Sequence, residues 1–291
     1  MKKNILSLLG GALLMSLFFA ACGDDEEEET GGYALHTNIM ATTFWAGEEA
    51  DDDNGFISNI PSAWDSQWGD HYTVNGVTKE DAPTVNRDGD FFPIGYDGTE
   101  NVYYFALPYD DRSRIVFEDE DASTSKIDAV VALDKTNYTK SGKKVNTTAY
   151  SESRKENAKK IPWYNTESNW KNKSVVKARW VKVRSTDQGS GGQKGNGEWV
   201  YAQWLDAGPF HYDDFKYVFG NSRPRNENEV IGVKSKAGID LSPAVMFKMG
   251  FSKNEMQWGG INRIVEWQFV DNDDVPDGPW KRVVSNNGMK W

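Results

Sequence analysis

The sequence is poor in the side chains that cross-link proteins or bind metals. It contains one cysteine and three histidines in 291 residues. A single cysteine excludes an internal disulfide, so an exported form of this chain must be stabilised by burial of apolar groups. The histidines, His36, His71 and His211, show none of the spacings of zinc sites. We therefore expect no metal site and no other cofactor.

A surplus of basic charge is also missing. The chain has 33 basic and 44 acidic residues, which gives a net charge of -11. Binding to nucleic-acid phosphates needs clustered Lys and Arg, so nucleic acid is not expected as a partner. Hydrophobic residues make up 38% of the chain. This is enough apolar material for one large domain or two small ones.

The N terminus has the order of a secretory signal. Lys2 and Lys3 precede an apolar stretch at 5–21, which closes on two alanines directly before Cys22. We interpret 1–21 as a signal peptide. A transmembrane anchor is the alternative, but the stretch is near the short limit for a span and is interrupted by Gly10-Gly11.

The residues before Cys22 resemble the lipobox of bacterial lipoproteins, in which the cysteine carries a diacylglycerol. This resemblance implies a membrane attachment through lipid at Cys22 and a location in the cell envelope. Residues 22–32 include the acidic run 24–29, which repels itself and has nothing apolar to bury. We expect an extended acidic tether. It is a plain spacer, or it resembles the acidic export signal of surface lipoproteins, which implies an outer-membrane protein facing outward.

The rest of the chain, 33–291, is interpreted as one domain. Turn residues interrupt every apolar run between Tyr33 and Tyr109, which favours short strands and long loops. The very polar stretch 118–160 is interpreted as an insertion, with one strand at Ile127–Leu133 inside it.

The clearest patterns lie between residues 175 and 270. Val175–Arg184 and Glu198–Leu205 have strand composition and predict a hairpin. A short helix is predicted from Ser242, a capping residue followed by Pro, to Gly250 at its end. Val265, Trp267 and Phe269 alternate with polar residues, the pattern of a strand with one buried face.

These elements resemble the rare lipoprotein A family. The match consists of a strand leading into Asp206-Ala207-Gly208-Pro209-Phe210, then Ile239-Asp240-Leu241-Ser242, then a helix closing on Met249-Gly250. The resemblance implies a mainly β fold, a six-stranded double-psi β-barrel, here with long loop insertions and a few short helices. Thr42–Trp45 would belong to the first barrel strand. Related barrels occur in barwin, expansins and lytic transglycosylases, so the implied partner is a polysaccharide such as peptidoglycan.

The sequence departs from the family at two positions that matter for chemistry. The family has Arg where this chain has Ala207, and its His before the Leu-Pro turn has no counterpart, since Phe105-Ala106 precede Leu107. The loss of that His lowers the expectation of the same reaction.

Asp206 and Asp240 are the candidate catalytic residues. Asp206 ends a strand on the side of Trp204, where an apolar environment would raise the pKa of its carboxyl group and make it a usable general acid. The alternative is that Asp206 caps the following turn through backbone amides. Asp240 precedes the helix at Ser242 and either stabilises that loop or supplies a second carboxylate. Other loop carboxylates, Asp213 and Asp214, compete for that second role.

Twelve tryptophans are unusual, and flat aromatic rings stack on sugar rings. Trp204 and Trp267 are predicted to be internal by alternation. Trp64 and Trp68 lie in polar, turn-rich segments and are the candidate carbohydrate-binding residues, with Trp163 and Trp170 as further candidates. Core packing is the alternative for all four.

Two functions therefore follow from the sequence. The first is a lipid-anchored enzyme that cleaves a glycan, as a lytic transglycosylase or glycosidase with Asp206 as its acid. The second is a non-catalytic carbohydrate-binding or envelope interaction lipoprotein that keeps only the barrel. Fold alone does not decide between them.

The lipobox resemblance makes a direct prediction. Cys22→Ser removes the thiol that would accept the lipid, so cells that express this variant should leave it unlabelled by palmitate while the wild type is labelled. Metabolic labelling followed by immunoprecipitation measures this. Equal labelling of the two proteins would contradict lipidation at Cys22.

Overall fold

The computed structural model describes residues 32–48, 58–78, 85–111, 156–164, 173–186, 195–209, 211–227, 236–251 and 263–290. All of these belong to one compact unit, Gly31–Trp291. The predicted signal peptide, Cys22 and the acidic run lie outside the described residues. So do the predicted strand at Ile127–Leu133 and most of the predicted insertion.

The described residues are mainly β, which confirms the predicted fold class. The strands are β1 His36–Thr43, β2 Thr73–Val74, β3 Val77–Thr78, β4 Tyr104–Leu107, β5 Trp180–Ser185, β6 Val200–Ala207, β7 Ile239–Leu241 and β8 Arg263–Val270. Short α-helices include α1 Phe215–Val218 and α2 Pro243–Lys248, and residues 156–158 form one further helical turn. Turns of 3-10 helix lie at Trp68–His71, Arg225–Glu227, Asn272–Asp274 and Pro279–Lys281.

Six of the strands close into a barrel in the order β1-β7-β4-β6-β5-β8. The pairs β1–β7 and β4–β6 are parallel, and the other pairs, including the closing pair β1–β8, are antiparallel. This closed, mixed, six-stranded barrel is compatible with a double-psi arrangement. Strands β2 and β3 form a separate hairpin.

The predicted hairpin is confirmed as the antiparallel pair β5–β6. Strand β5 begins at Trp180, later than predicted, because the chain turns at Ala178, which has a positive φ of 66°. The preceding residues pack along β6 instead, where the Ala178 N–H donates to the carbonyl of Trp204 at 2.8 Å.

Strand β6 contains an irregularity that sequence alternation misses. Phe105 lies opposite Trp204, but the next residue, Ala106, lies opposite Asp206, so Leu205 is an extra residue in the ladder. Successive residues of β4 point to opposite faces of the sheet. The expectation that Asp206 shares the face of Trp204 is therefore wrong.

The predicted strand at residues 265–269 is confirmed, but its polar face is not exposed. Glu266 and Gln268 are buried along with the apolar residues of β8. Glu266 pairs with Arg184 of β5, and the Gln268 amide donates to the carbonyl of Tyr33 at 2.6 Å. The N-terminal segment and β5 thus cover a face that the alternation assigns to solvent.

The capping signals around α2 are confirmed. The Ser242 hydroxyl accepts a hydrogen bond from the Val245 N–H, and Pro243 occupies the first turn. At the other end Gly250 has a φ of 97°, and the Phe251 N–H donates to the carbonyl of Met246 at 3.1 Å. This is the left-handed helix ending that glycine favours.

Gly250 should resist substitution. A Cβ there would lie 3.2 Å from the backbone nitrogen of Asn196, and the positive φ alone costs a residue with a Cβ about 1–2 kcal/mol. We expect Gly250→Val to lower the free energy of unfolding by at least that amount in thermal denaturation. Gly89→Ala is the control, because a Cβ at Gly89 meets nothing within 4 Å. Equal losses in the two variants would contradict the assigned helix ending.

Candidate active site

The two predicted catalytic residues lie in one row of side chains that runs over four neighbouring strands of the barrel, β1, β7, β4 and β6. Thr42 of β1 is in register with Asp240 of β7, Asp240 with Ala106 of β4, and Ala106 with Asp206 of β6. Residues in register on neighbouring strands share a face of the sheet. The two carboxyl groups therefore flank the small side chain of Ala106, with backbones about 9–10 Å apart at two strand spacings.

Asp206 is partly buried and is bound by backbone amides. Its Oδ1 accepts a hydrogen bond from the Ala207 N–H and a second from the Ala63 N–H, each at 2.8 Å. The first contact involves only the adjacent residue, because the N–H of Gly208 in the following turn donates to the carbonyl of Leu107 instead. The second joins β6 to the segment at 62–66, 143 residues earlier in the chain.

The environment of Asp206 favours its protonated form. The pKa of the Asp206 carboxyl group is raised to about 7, mainly by burial and to a smaller extent by the negative charges of Asp110 and Asp240. The two backbone N–H donors act in the opposite direction, because they stabilise the charged form. Burial is the larger effect, so Asp206 holds its proton close to neutral pH.

Asp240 is held differently. Its Oδ1 accepts a hydrogen bond from the Thr42 hydroxyl. Burial raises the pKa of Asp240 to about 6, and the Thr42 hydrogen bond opposes that rise. At a pH between the two values, Asp240 is mostly ionised while Asp206 is mostly protonated. Two carboxyl groups with different protonation states are the elements of acid–base catalysis.

The chain that follows β6 encloses this end of the barrel. A Cβ added to Gly208, which has a φ of 153°, would lie 3.8 Å from Oδ2 of Asp240. The Gly208 N–H donates to the carbonyl of Leu107, and the Asp110 N–H donates to the carbonyl of Tyr212. The loop is thus fixed against the end of β4, where it brings the fully buried Asp110 near Asp206.

The prediction that Trp64 and Trp68 form an exposed platform is wrong. Both side chains are completely buried. The Trp64 indole packs edge-on against Trp204 and donates to Asp111 at 2.9 Å, while Trp68 packs edge-on against Tyr104. Their turn-rich segment folds onto the barrel, so neither ring is available to stack on a sugar.

The other tryptophan expectations have mixed outcomes. Trp204 and Trp267 are fully buried, as predicted. Trp163 is half-buried and contacts Phe269, while Trp170 lies outside the described residues.

The histidines have separate environments. His36 stacks on Trp267 at 4.0 Å, and burial lowers its pKa to about 4. His71 lies 3.0 Å from Asp65, with Lys290 beside it. His211 is buried in the loop after Pro209, and its backbone N–H donates to the carbonyl of Pro209. Among the described residues, no group of three or more His, Cys, Asp or Glu could hold a metal ion.

Sequence reasoning missed three parts of this site. The sequence marks Ala106 only as one of the two residues that stand before Leu107 where the family has a histidine, and not as the residue between two carboxyl groups. The Thr42 hydroxyl and the Ala63 N–H come from distant segments, and no local pattern marks them. The one available signal for Thr42 was its position in the segment Thr42–Trp45, which the resemblance assigns to the first barrel strand.

Comparisons with known proteins give no relative: no family model, no curated protein and no solved structure matches this chain. Within the part of the chain that the structure describes, no helix is long and apolar enough to cross a membrane.

The raised pKa of Asp206 makes a prediction about stability. The folded pKa of about 7 exceeds the ordinary value of 3.8 for an Asp side chain, so the folded state keeps a proton that the unfolded state releases. The associated stability is present at acidic pH and is lost as pH rises through 7. Asp206→Asn retains an oxygen acceptor but no charge. It should therefore be more stable than wild type above neutral pH, by about 1–3 kcal/mol after allowance for solvent screening.

Denaturant unfolding across the pH range measures this difference. The gap between Asp206→Asn and wild type should shrink as pH falls towards 4. A variant that is less stable than wild type above neutral pH would instead assign Asp206 a purely structural role.

Proposed function

We propose that this chain is a cell-envelope protein that cleaves a polysaccharide, with Asp206 as the general acid. One observation carries the proposal: a partly exposed carboxyl group with a pKa of about 7 lies across Ala106 from a second carboxyl group with a pKa of about 6. Carboxyl groups tuned to different protonation states near neutral pH are a recurring arrangement for hydrolysis of glycosidic bonds.

In the proposed reaction, protonated Asp206 gives its proton to the oxygen of the leaving sugar. That proton transfer assists cleavage of the bond to the anomeric carbon. Ionised Asp240 then accepts a proton from a water molecule, which attacks the same carbon. The two strand spacings between these residues favour the wide separation of inverting hydrolysis over the narrow one of retaining hydrolysis. A lytic transglycosylase differs in that a sugar hydroxyl replaces water as the nucleophile.

We propose that the chain is related to the rare lipoprotein A family, whose fold is the double-psi β-barrel. Several features support it: the closed mixed barrel, Asp206 near the end of β6, and helix α2 directly after Asp240. The departures at Ala207 and Ala106 set this chain apart from that family. The small side chain of Ala106 leaves space between the two carboxyl groups, where the family has a histidine nearby.

The proposed location follows from the lipobox resemblance at Cys22 and the acidic tether at 22–32. A lipid anchor and an extended tether would hold the barrel at the surface of the outer membrane, where peptidoglycan or an external polysaccharide is within reach. These proposals rest on the sequence alone.

A non-catalytic carbohydrate-binding or envelope interaction protein is the second candidate. The two backbone N–H groups that bind Oδ1 of Asp206 favour it, because they give this carboxyl group a structural role independent of any reaction. The family histidine is also missing. In this case the role of Asp206 would be to hold the segment at Ala63 against the barrel through the Ala63 N–H hydrogen bond.

The catalytic proposal predicts a narrow bell-shaped pH profile. Activity needs ionised Asp240 and protonated Asp206, so kcat/KM for release of soluble sugars from purified sacculi or polysaccharide should rise near pH 6 and fall above pH 7. The two apparent pKa values belong to the interacting pair. Asp206→Asn should keep binding and lose about 10²- to 10⁴-fold in rate, the effect of a missing general acid.

Asp277→Asn is the matched control, because the Asp277 side chain is fully exposed and contacts only Lys281 in the described part of the chain. It should leave the rate unchanged. If wild type binds a glycan but releases no product, and Asp206→Asn binds equally well, the non-catalytic function replaces the proposal.

A further inference from the structure

A groove of about 370 Å³ lies on another part of the molecule, between residues 174–180 and residues 284–287. Gln203 of β6 and Asn272, which follows β8, also line it. Neither Asp206 nor Asp240 is among its described lining residues. The volume is within the range of small-molecule sites in proteins.

The floor of this groove is rigid and polar. The Gln203 side chain uses both of its ends: its Oε1 accepts from Asn101 and from the Ser285 N–H, and its Nε2 donates to the carbonyls of Ala178 and Ser285. A buried amide with all these bonds made cannot turn without breaking them. The groove is therefore formed before any ligand arrives.

The backbone at the edge of the groove is strained. Ala178 has a φ of 66°, a conformation that residues with a Cβ rarely adopt. Its N–H donates to Trp204 and its carbonyl accepts from Gln203, so these contacts hold the strained turn in place. Retained strain of this kind is concentrated at functional sites.

The charges around the groove are neutralised. None of its described lining residues is Asp or Glu, although the chain has 44 acidic residues. Lys177 donates to the carbonyl of Gly288 at 2.9 Å and lies 3.7 Å from Glu100. The Arg179 guanidinium stacks 4.3 Å from the ring of Trp163 and lies 4.0 Å from Asp271. A charged ligand would thus find no free opposite charge on these residues.

Amide groups remain available for a ligand on the outer wall. Asn272 is exposed and makes no side-chain hydrogen bond to a described residue, whereas Asn286 uses its Oδ1 for the Gly288 N–H and leaves its Nδ2 free. An amide both donates and accepts, which matches the paired donor and acceptor character of sugar hydroxyls. We propose that this groove binds an uncharged saccharide unit, independently of any chemistry at Asp206.

Titration of ¹⁵N-labelled protein tests this site, with the indole N–H resonances of Trp163 and Trp180 as reporters in the groove wall. The probes are cellotetraose, N-acetylchitotetraose, a tetragalacturonate as the anionic control and tetra-alanine as the peptide control. At least one neutral oligosaccharide should shift both resonances in a saturable way at millimolar concentration. Asn272→Ala should weaken that binding about three- to tenfold through loss of a hydrogen bond.

Asn221→Ala is the matched control, since Asn221 is an exposed asparagine that does not line the groove. It should leave the affinity unchanged, as should Asp206→Asn, which separates this site from the proposed catalytic one. The proposal is overturned if neither neutral oligosaccharide shifts the two resonances, if only the anionic or peptide probe does, or if Asn272→Ala binds as tightly as wild type.

Discussion

Strand β4 is the constraint on which the rest of the structure depends. It has only four residues, all of them buried, and it pairs with β6 on one side and with β7 on the other. Phe105 and Ala106 each have partners on both sides. Ala106 lies between Asp206 and Asp240, and a larger side chain at this position would fill the space between the two carboxyl groups. The residue that β4 places here therefore sets the size of that space.

The same burial that stabilises the barrel works against these acids. Apolar packing around β6 and β7 favours folding, but it excludes the water that would otherwise solvate a carboxylate. Two hydrogen bonds compensate in part for this loss of solvation: the Thr42 hydroxyl donates to Asp240, and the Ala63 N–H donates to Asp206. Buried acids of this kind lower the free energy of unfolding, and active sites commonly keep such destabilising groups because activity needs them.

Sequence patterns predicted the secondary-structure elements that depend on residues close by in the sequence. The cap at Ser242, the stop at Gly250 and the hairpin β5–β6 depend on neighbouring residues, and the structure confirms them. The extra residue Leu205 and the burial of Trp64 depend on segments far away in the chain. Alternation along β6 contains no sign of a bulge, and a turn-rich segment looks the same whether it lies in solvent or against a barrel.

The closing pair of the barrel has a consequence for how the chain folds during its synthesis. Strand β1 pairs with β7 and β8, which are about two hundred residues further along. Until those strands have emerged, β1 is an open edge and the barrel cannot close. Contacts of such long range slow folding. A barrel that closes late leaves the chain threadable for longer, so this topology is compatible with the export that the proposed signal peptide implies.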